Sequence, residues 1–453
     1  MLRLYDTASG EVRPLPQREP GVVSIYLCGP TVYGPPHLGH GRATLVYDIL
    51  RRYLEWGGTR VRLVSNITDI DDKIILRAED EGRDWHEIAT KCESVWWRAM
   101  DGVGVGRPTD VPHATDWVEQ MVDMIGQLVE IGRAYVTGDG VYLSVRSVED
   151  YGLLAHQSLD DMLAGGGDRE VVGADDKRDS ADFALWKLAK PGEPSWPSPW
   201  GPGRPGWHTE CVVMSLELLG EGFDLHCGGL DLKFPHHENE RAQAVALGKR
   251  FANHWMHHAF VVDASGEKMS KSLDNYENLL DLLEQVDPRA YRMVLLQAHY
   301  RSPVKVGKDR LDEAARSIGR LDALARRSAA WPPAEPDEGV LDAFSARMDD
   351  DLDSPGAMAV VFDAVTRANA AADAADIDRA RALAAAVLSA CRAIGLELRA
   401  DEEVPDDIAA QVRALDAARA AKDYDVADTL RAALLAEGWV VESHAGGTTV
   451  RRP

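Results

Sequence analysis

The chain has 453 residues, 45% of them hydrophobic, and its 50 basic and 74 acidic side chains give a formal net charge of -24 at pH 7. That length holds about three domains with separate cores, no apolar run is long enough to cross a bilayer, and residues 1–10 lack a hydrophobic signal segment. Five cysteines at irregular spacing read as reduced thiols of a cytoplasmic protein rather than a disulfide framework, and the acidic total leaves any nucleic-acid binding to a local basic strip.

Residues 21–64 read strand, turn, helix, strand. An apolar run from Val22 to Leu27 meets the turn Gly34-Pro35-Pro36, then a helix whose Leu45, Ile49 and Tyr53 share a face, then Val61 and Leu63 alternating across a strand. This opens a nucleotide-binding α/β fold, with ligand expected at the carboxyl ends of the strands. His37-Leu38-Gly39-His40 falls at the N-terminus of that helix, a natural anion site. Helical segments continue to about residue 132. Residues 135–205 turn irregular, with Gly165-Gly166-Gly167 and a Trp- and Pro-rich run from Ser195 to Trp200, and read as an inserted subdomain. The sheet pattern resumes near Cys211, and the apolar stretch Ala259 to Val262 leads to Lys268-Met269-Ser270-Lys271-Ser272.

Beyond residue 308, alanine-rich helices are predicted over 308–328, 339–351, 355–373 and 377–394, the third entered through the cap Asp353-Ser354-Pro355 with proline at the first helical position. A linker follows at Asp401 to Pro405, then two helices and a terminal hairpin formed by Trp439-Val440-Val441, the turn Gly446-Gly447 and Thr448-Thr449-Val450. The predicted organisation is therefore an α/β, Rossmann-like catalytic domain in two halves, 1–134 and 206–307, split by the insertion 135–205. A helical bundle over 308–400 and a small helix and hairpin module over 401–453 complete it.

Two short motifs carry most of the chemistry. His37, His40, Lys268 and Lys271 are suited to meet negative charge that builds on phosphate oxygens, and Gly39 leaves a nucleotide room to press against the backbone. In this order on one chain they resemble the HIGH and KMSKS signatures of class I aminoacyl-tRNA synthetases. Cys28 ends the first strand and faces the same crevice, and Cys211 and the helix opening Pro235-His236-His237-Glu238-Asn239-Glu240 supply further donors. Two thiolates, an imidazole and a carboxylate suit zinc. Spacing leaves the imidazole open, since His236 pairs with Glu240 at i to i+4 and His237 at i to i+3.

Cys28 to Tyr33, Asn66 to Lys73, Ser195 to Trp200, Gly203 to His208 and Phe234 to Glu240 resemble successive signatures of the bacterial cysteinyl-tRNA synthetases, a resemblance that runs end to end. It implies ATP-dependent activation of L-cysteine and transfer to the 3′ end of tRNA(Cys). The implied zinc ligands, one ion per chain, are Cys28, Cys211, His236 and Glu240; Mg2+ is expected with ATP. ATP contacts are implied for His37, Gly39, His40, His226, Lys268, Ser270 and Lys271, and cysteine contacts for Gly29, Thr68, Trp207 and Asp231. The bundle is expected to bind tRNA, the terminal module to read its anticodon end, and the protein to be a monomer without a membrane partner. Zinc makes chemical sense, because a pocket reading shape alone separates serine from cysteine by only about 1 to 3 kcal/mol. Cys227 stands where the family usually has glycine, a thiol that could compete for the metal. The alternatives are a zinc-dependent cysteine ligase of mycothiol biosynthesis, which uses an amino-sugar acceptor, and a non-catalytic paralogue that binds zinc or tRNA.

Overall fold

The computed structural model describes residues 1–164, 177–262, 278–400, 405–444 and 447–451. In chain order its strands are β1 (Arg3–Asp6), β2 (Glu11–Pro14), β3 (Val22–Leu27), β4 (Arg60–Ser65), β5 (Ala134–Val136), β6 (Gly140–Leu143), β7 (Phe183–Leu188), β8 (Gly203–Pro205), β9 (Leu225–Gly229), β10 (Trp255–His258), β11 (Val261–Val262), β12 (Val304–Lys305), β13 (Val440–His444) and β14 (Gly447–Arg451). The chain packs as two compact units, residues 1–321 with 333–397, and residues 322–332 with 398–453. No described helix is long and apolar enough to cross a membrane.

In the first unit a parallel sheet runs β10-β9-β3-β4. Val23 to Leu27 are all buried, as a strand covered on both faces requires. From β3 the chain goes first to β4 on one side and later to β9 on the other. This reversal opens a crevice at the strands' carboxyl ends. Helix α1 (Leu38–Trp56) is the crossover from β3 to β4, so the pattern expected between 21 and 64 is present.

Three buried polar anchors fix α1. Arg42, 2% exposed, donates to the carbonyls of Phe260, Tyr300 and Ser302 at 2.6, 2.9 and 2.6 Å. The Tyr47 hydroxyl accepts from the Gly228 N–H at 3.0 Å and lies 2.7 Å from the Gly228 carbonyl. Asp48 pairs with Arg292 at 2.7 Å, both side chains 3% exposed. The first half of α1 is thereby held to the end of β9 and to the segment after β10.

The insertion is an antiparallel sheet of order β5-β6-β7-β8, packed through Val141, Leu143, Leu185 and Trp186. Gly165-Gly166-Gly167 lies outside the described residues. One expectation fails between insertion and sheet: Cys211 sits in a helix, Trp207–Leu219, and the sheet resumes only at β9. That helix is buried on nearly every side from Thr209 to Ser215, so it lacks the polar stripe that betrays a helical period.

The helices after residue 308 are Lys308–Ala329, Glu338–Met348, Ser354–Asp373 and Ile377–Ala393. The second ends three residues earlier than its pattern suggests. Asp351 and Leu352 take left-handed backbone angles (φ 58° and 51°), held because the Asp351 carboxylate accepts from the Tyr5 N–H, the Tyr300 hydroxyl and Arg301 at 2.8, 2.5 and 2.7 Å. Asp353 then caps the third helix through the Gly356 N–H at 3.0 Å, with Pro355 at the second helical position rather than the first. Alanines 364, 368, 386 and 390 are fully buried and let these helices approach closely.

In the second unit, helices Asp406–Ala420 and Tyr424–Ala436 cover the antiparallel hairpin β13-β14, with Leu415, Leu434, Trp439, Val441 and Val450 in its core. Val441 faces Val450 across the ladder, matching the expected hairpin.

Candidate active site and metal centre

The crevice is lined by Cys28, Gly29, Tyr33, His37, Gly39, His40, Lys73, Trp96, Trp207, Asp231, His258 and Phe260. Because α1 begins at Leu38, the positive end of its dipole opens here. The His37 N–H donates to His40 Nδ1 at 3.2 Å, and the two rings stack at 3.9 Å. His40 is further held edge-on against Trp96 at 5.5 Å. Gly39 has a local reason beyond nucleotide access, since a Cβ there would stand 2.8 Å from the His37 ring. At Gly29 a Cβ would fall 1.6 Å from the Asn66 carbonyl oxygen, so only glycine lets the end of β3 close against the segment after β4. Lys268, Ser270 and Lys271 lie outside the described residues. Both flanks of their segment reach the crevice: Phe260 and Val261 line it, and Asn278 forms a backbone bridge with His37.

Below the crevice floor the buried groups are polar. Cys28, Cys211, His236 and Glu240 each bring a ligand atom within 4.8 Å of the others, and so do Cys28, His226, His237 and Glu240. The two sets share Cys28 and Glu240. Cys28 and Cys211 sulfurs are 3.9 Å apart without a disulfide, close to the roughly 3.8 Å edge of a tetrahedron with 2.3 Å zinc–sulfur bonds. His236 Nε2 approaches Glu240 Oε1 at 2.7 Å, while its Nδ1 is held by His208 Nδ1 at 2.8 Å, the outer partner that orients a ligating imidazole. His237 is held likewise by His257 at 2.8 Å, and His257 by the Thr7 hydroxyl at 2.7 Å.

The electrostatics favour a cation. The hydrogen bond from Cys28 lowers the Cys211 thiol to about 6, while burial and the adjacent Cys211 push Cys28 well up. Burial opposes charge on Glu240, yet His236 and His226 hold it far below the usual carboxylate range. Burial likewise works against the His236 imidazolium, but Glu240 and Cys211 outweigh it and raise it to about 10. An anionic sulfur and carboxylate around a shared point are the donors a divalent zinc ion needs.

The remaining expected residues divide. Trp207, 37% exposed, forms a crevice wall and stacks on His236 at 4.0 Å. Asp231 lines the crevice. Thr68 is 1% exposed, and its hydroxyl donates to Glu210 at 3.0 Å behind the wall. His226 departs from its expected place against ATP: it is fully buried, with Nε2 2.8 Å from Glu240 and 3.6 Å from the Cys28 sulfur. Cys227, expected as a competing thiol, lies apart from the donor cluster. It belongs to neither donor set, because strand alternation turns it to the opposite face of the sheet, toward Tyr47. Sequence reasoning missed His208 and His257 as partners of the cluster, while His237 stood beside His236 as an alternative imidazole; the signal for the two missed residues was their position beside residues already singled out.

The family model for tRNA synthetases class I (C) catalytic domain matches residues 14–316, and the DALR domain model matches residues 343–399. A cysteine–tRNA ligase of Paenarthrobacter aurescens is 43% identical over 99% of this chain and 98% of its own. One from Micrococcus luteus is 44% identical over 99% of each. The chain belongs to the cysteine–tRNA ligase family of class I aminoacyl-tRNA synthetases. Members of more distant class I families share the fold. The methionyl-tRNA synthetase of Mycobacterium tuberculosis with methionyl-adenylate has a TM-score of 0.61 at 16% identity, covering 82% of this chain and 89% of that one. The LeuRS of Agrobacterium radiobacter K84 in ternary complex reaches 0.62 at 12%, covering 84% and 85%. As a member of this family the chain is a ligase, and its α/β core with a helical DALR region is the family's architecture.

Proposed function

We infer that this chain charges tRNA(Cys) with L-cysteine in two steps, forming cysteinyl-adenylate from ATP and then passing cysteine to the 3′-terminal ribose. The observation that carries the reading is the set Cys28, Cys211, His236 and Glu240 beneath the crevice into which α1 opens. These four hold one zinc ion in this reading. When bound there, zinc favours a substrate thiolate over serine's hydroxyl. Trp207 closes the pocket beside His236, Gly29 and Asp231 bound it, and Thr68 keeps its place through Glu210.

His37 and His40 present donors to the reacting phosphates, and Gly39 lets the nucleotide lie against the start of α1. Lys268, Ser270 and Lys271 join them from a segment whose two ends both reach the crevice, with Mg2+ accompanying ATP. The helices of 308–400 carry tRNA, and the module 401–453 reads its far end. We take the protein to be a cytoplasmic monomer.

Cysteine-dependent exchange of pyrophosphate into ATP, run against all twenty amino acids and followed by charging of tRNA(Cys), tests the reading. Exchange with cysteine alone and stable charging are expected. Exchange without charging, but with transfer to an amino sugar, would replace it with the cysteine ligase. A chain ending at Ala400 should keep exchange and lose charging efficiency, more so as salt rises.

A further inference from the structure

His257 and His258 are neighbours on β10 with opposite surroundings. His257 Nε2 binds His237 on the face that holds the thiols. His258 turns to the α1 face, edge-on to Tyr47 at 5.9 Å, as the period of a strand demands. It is 5% exposed and lines the crevice. Its Nδ1 lies 2.8 Å from the Ala259 carbonyl oxygen, which can only accept, so Nδ1 carries the proton and Nε2 is left as an acceptor. That Nε2 is buried and has no hydrogen-bond partner among the described residues. Burial and the nearby Arg42 guanidinium hold the ring down at about 4, so it stays a neutral acceptor at physiological pH.

A buried acceptor on a crevice wall costs free energy unless something donates to it. Two substrates could enter. β10 lies two strands from β3, roughly 10 Å at ordinary strand spacing, and on the other face of the sheet from the Cys28 cluster. A cysteine whose sulfur sits at that cluster brings its ammonium to Asp231, whose carboxylate lies beside Gly229 on this wall in the reading above, and does not extend beyond it to His258. The nucleotide does, because Gly39 and the α1 start share the face of His258, and Gly229 beside it presents bare backbone: a Cβ there would stand 2.4 Å from Asp231 Oδ1 and 3.5 Å from His258 Nε2.

We propose that His258 Nε2 accepts a hydrogen bond from the adenosine of ATP, from a ribose hydroxyl or the adenine amino group, and so positions the nucleotide for reaction at its α-phosphate. The proposal rests on the reading of the crevice as an ATP site. His258 is thus a specificity residue of the nucleotide, distinct from the histidines that meet the phosphates.

The test pairs variants with analogues in the zinc-loaded full chain. ATP affinity is measured by calorimetric titration without cysteine, and KM for ATP by pyrophosphate exchange, in wild type, His258→Phe and His258→Gln. His258→Phe should weaken ATP about five- to tenfold, and the amide oxygen of His258→Gln should restore most of the loss. Of 2′-deoxy-ATP, 3′-deoxy-ATP and the 6-deamino analogue, one should bind wild type and His258→Phe equally, which names the donor. A penalty from His258→Phe that persists with all three analogues, or an ATP affinity changed less than about twofold, overturns the proposal. Normal ATP binding with no cysteine-dependent exchange in wild type would instead defeat the reading of function, and the titration would still decide His258.

Discussion

The two faces of the central sheet are built from the same strands and filled by opposite rules. On one face Tyr26, Cys28, His226, Trp255 and His257 surround buried thiols, imidazoles and a carboxylate. On the other, Leu27, Cys227 and His258 lie against α1, whose inner side is Leu38, Leu45 and Tyr47 with isolated polar anchors at Arg42 and Asp48. One residue along a strand moves a side chain from a metal-binding cluster to a helix-packing surface. A buried polar cluster is unstable unless every member is satisfied, so the first face calls for an ion in the proposed reading and the second rests on packing and a few ion pairs.

The largest expected effect breaks the first face. Cys211→Ser should remove the bound zinc, beyond the roughly 100-fold loss of affinity at the upper end for an outer partner, and abolish cysteine-dependent exchange. Metal analysis of the purified variant reads the first result directly. Wild-type protein with no zinc, or activity indifferent to chelation, would show that the cluster is held together some other way.

The second face breaks through stability. Asp48→Asn leaves Arg292 buried without its counter-charge and should cost about 3 kcal/mol by denaturant titration at neutral pH. Although burial opposes it, Arg292 and Arg52 hold the Asp48 carboxyl below its usual value. The contribution is therefore complete above the unfolded pKa of about 3.9 and lost as pH falls through the lower folded value. Wild type and variant should converge in acid. A gap that stays constant down to low pH would mean that shape, not charge, makes the Asp48 site.

Much of this was readable in advance, and the failures have one cause. The strand, turn and helix around His37 were visible because an apolar run, Gly34-Pro35-Pro36 and the Leu45, Ile49, Tyr53 face are local signals. The helix Trp207–Leu219 was hidden because burial on nearly all sides erases amphipathic period. The motif places His226 at the nucleotide and leaves Cys227 as a competing thiol, whereas the sheet's alternation puts His226 against Glu240 and turns Cys227 to α1. Face assignment needs the neighbouring strands, since Tyr26 opposite His226 and Leu27 opposite Cys227 are a pairing fact, not a motif. Residues that orient ligands were invisible for the same reason, being brought in from His208 and His257.

An intermediate effect sharpens the first face. His208→Ala removes the group on His236 Nδ1 while leaving all four donors, and should weaken zinc about 10- to 100-fold, seen in competition with a chelator of known affinity. If zinc affinity is unchanged, His237 with its own partner His257 is the imidazole that matters, and the set Cys28, His226, His237 and Glu240 is the one occupied.

The smallest effect should come from the residue that differs from its neighbour only by the face it occupies. Cys227 is fully buried, and burial pushes its thiol well above the usual range, so it stays protonated and behaves as a small apolar group. Cys227→Ala removes one sulfur from the α1 face and should cost on the order of 1 kcal/mol in a well-packed site. Zinc content and affinity should not move, because the sulfur points away from both donor sets. ATP affinity should change little, since the crevice wall at this level is made by Leu27, Gly228 and Gly229. Loss of zinc from Cys227→Ala, with Cys211→Ser retaining it, would reverse the assignment of faces and with it the placement of His258 beside the nucleotide.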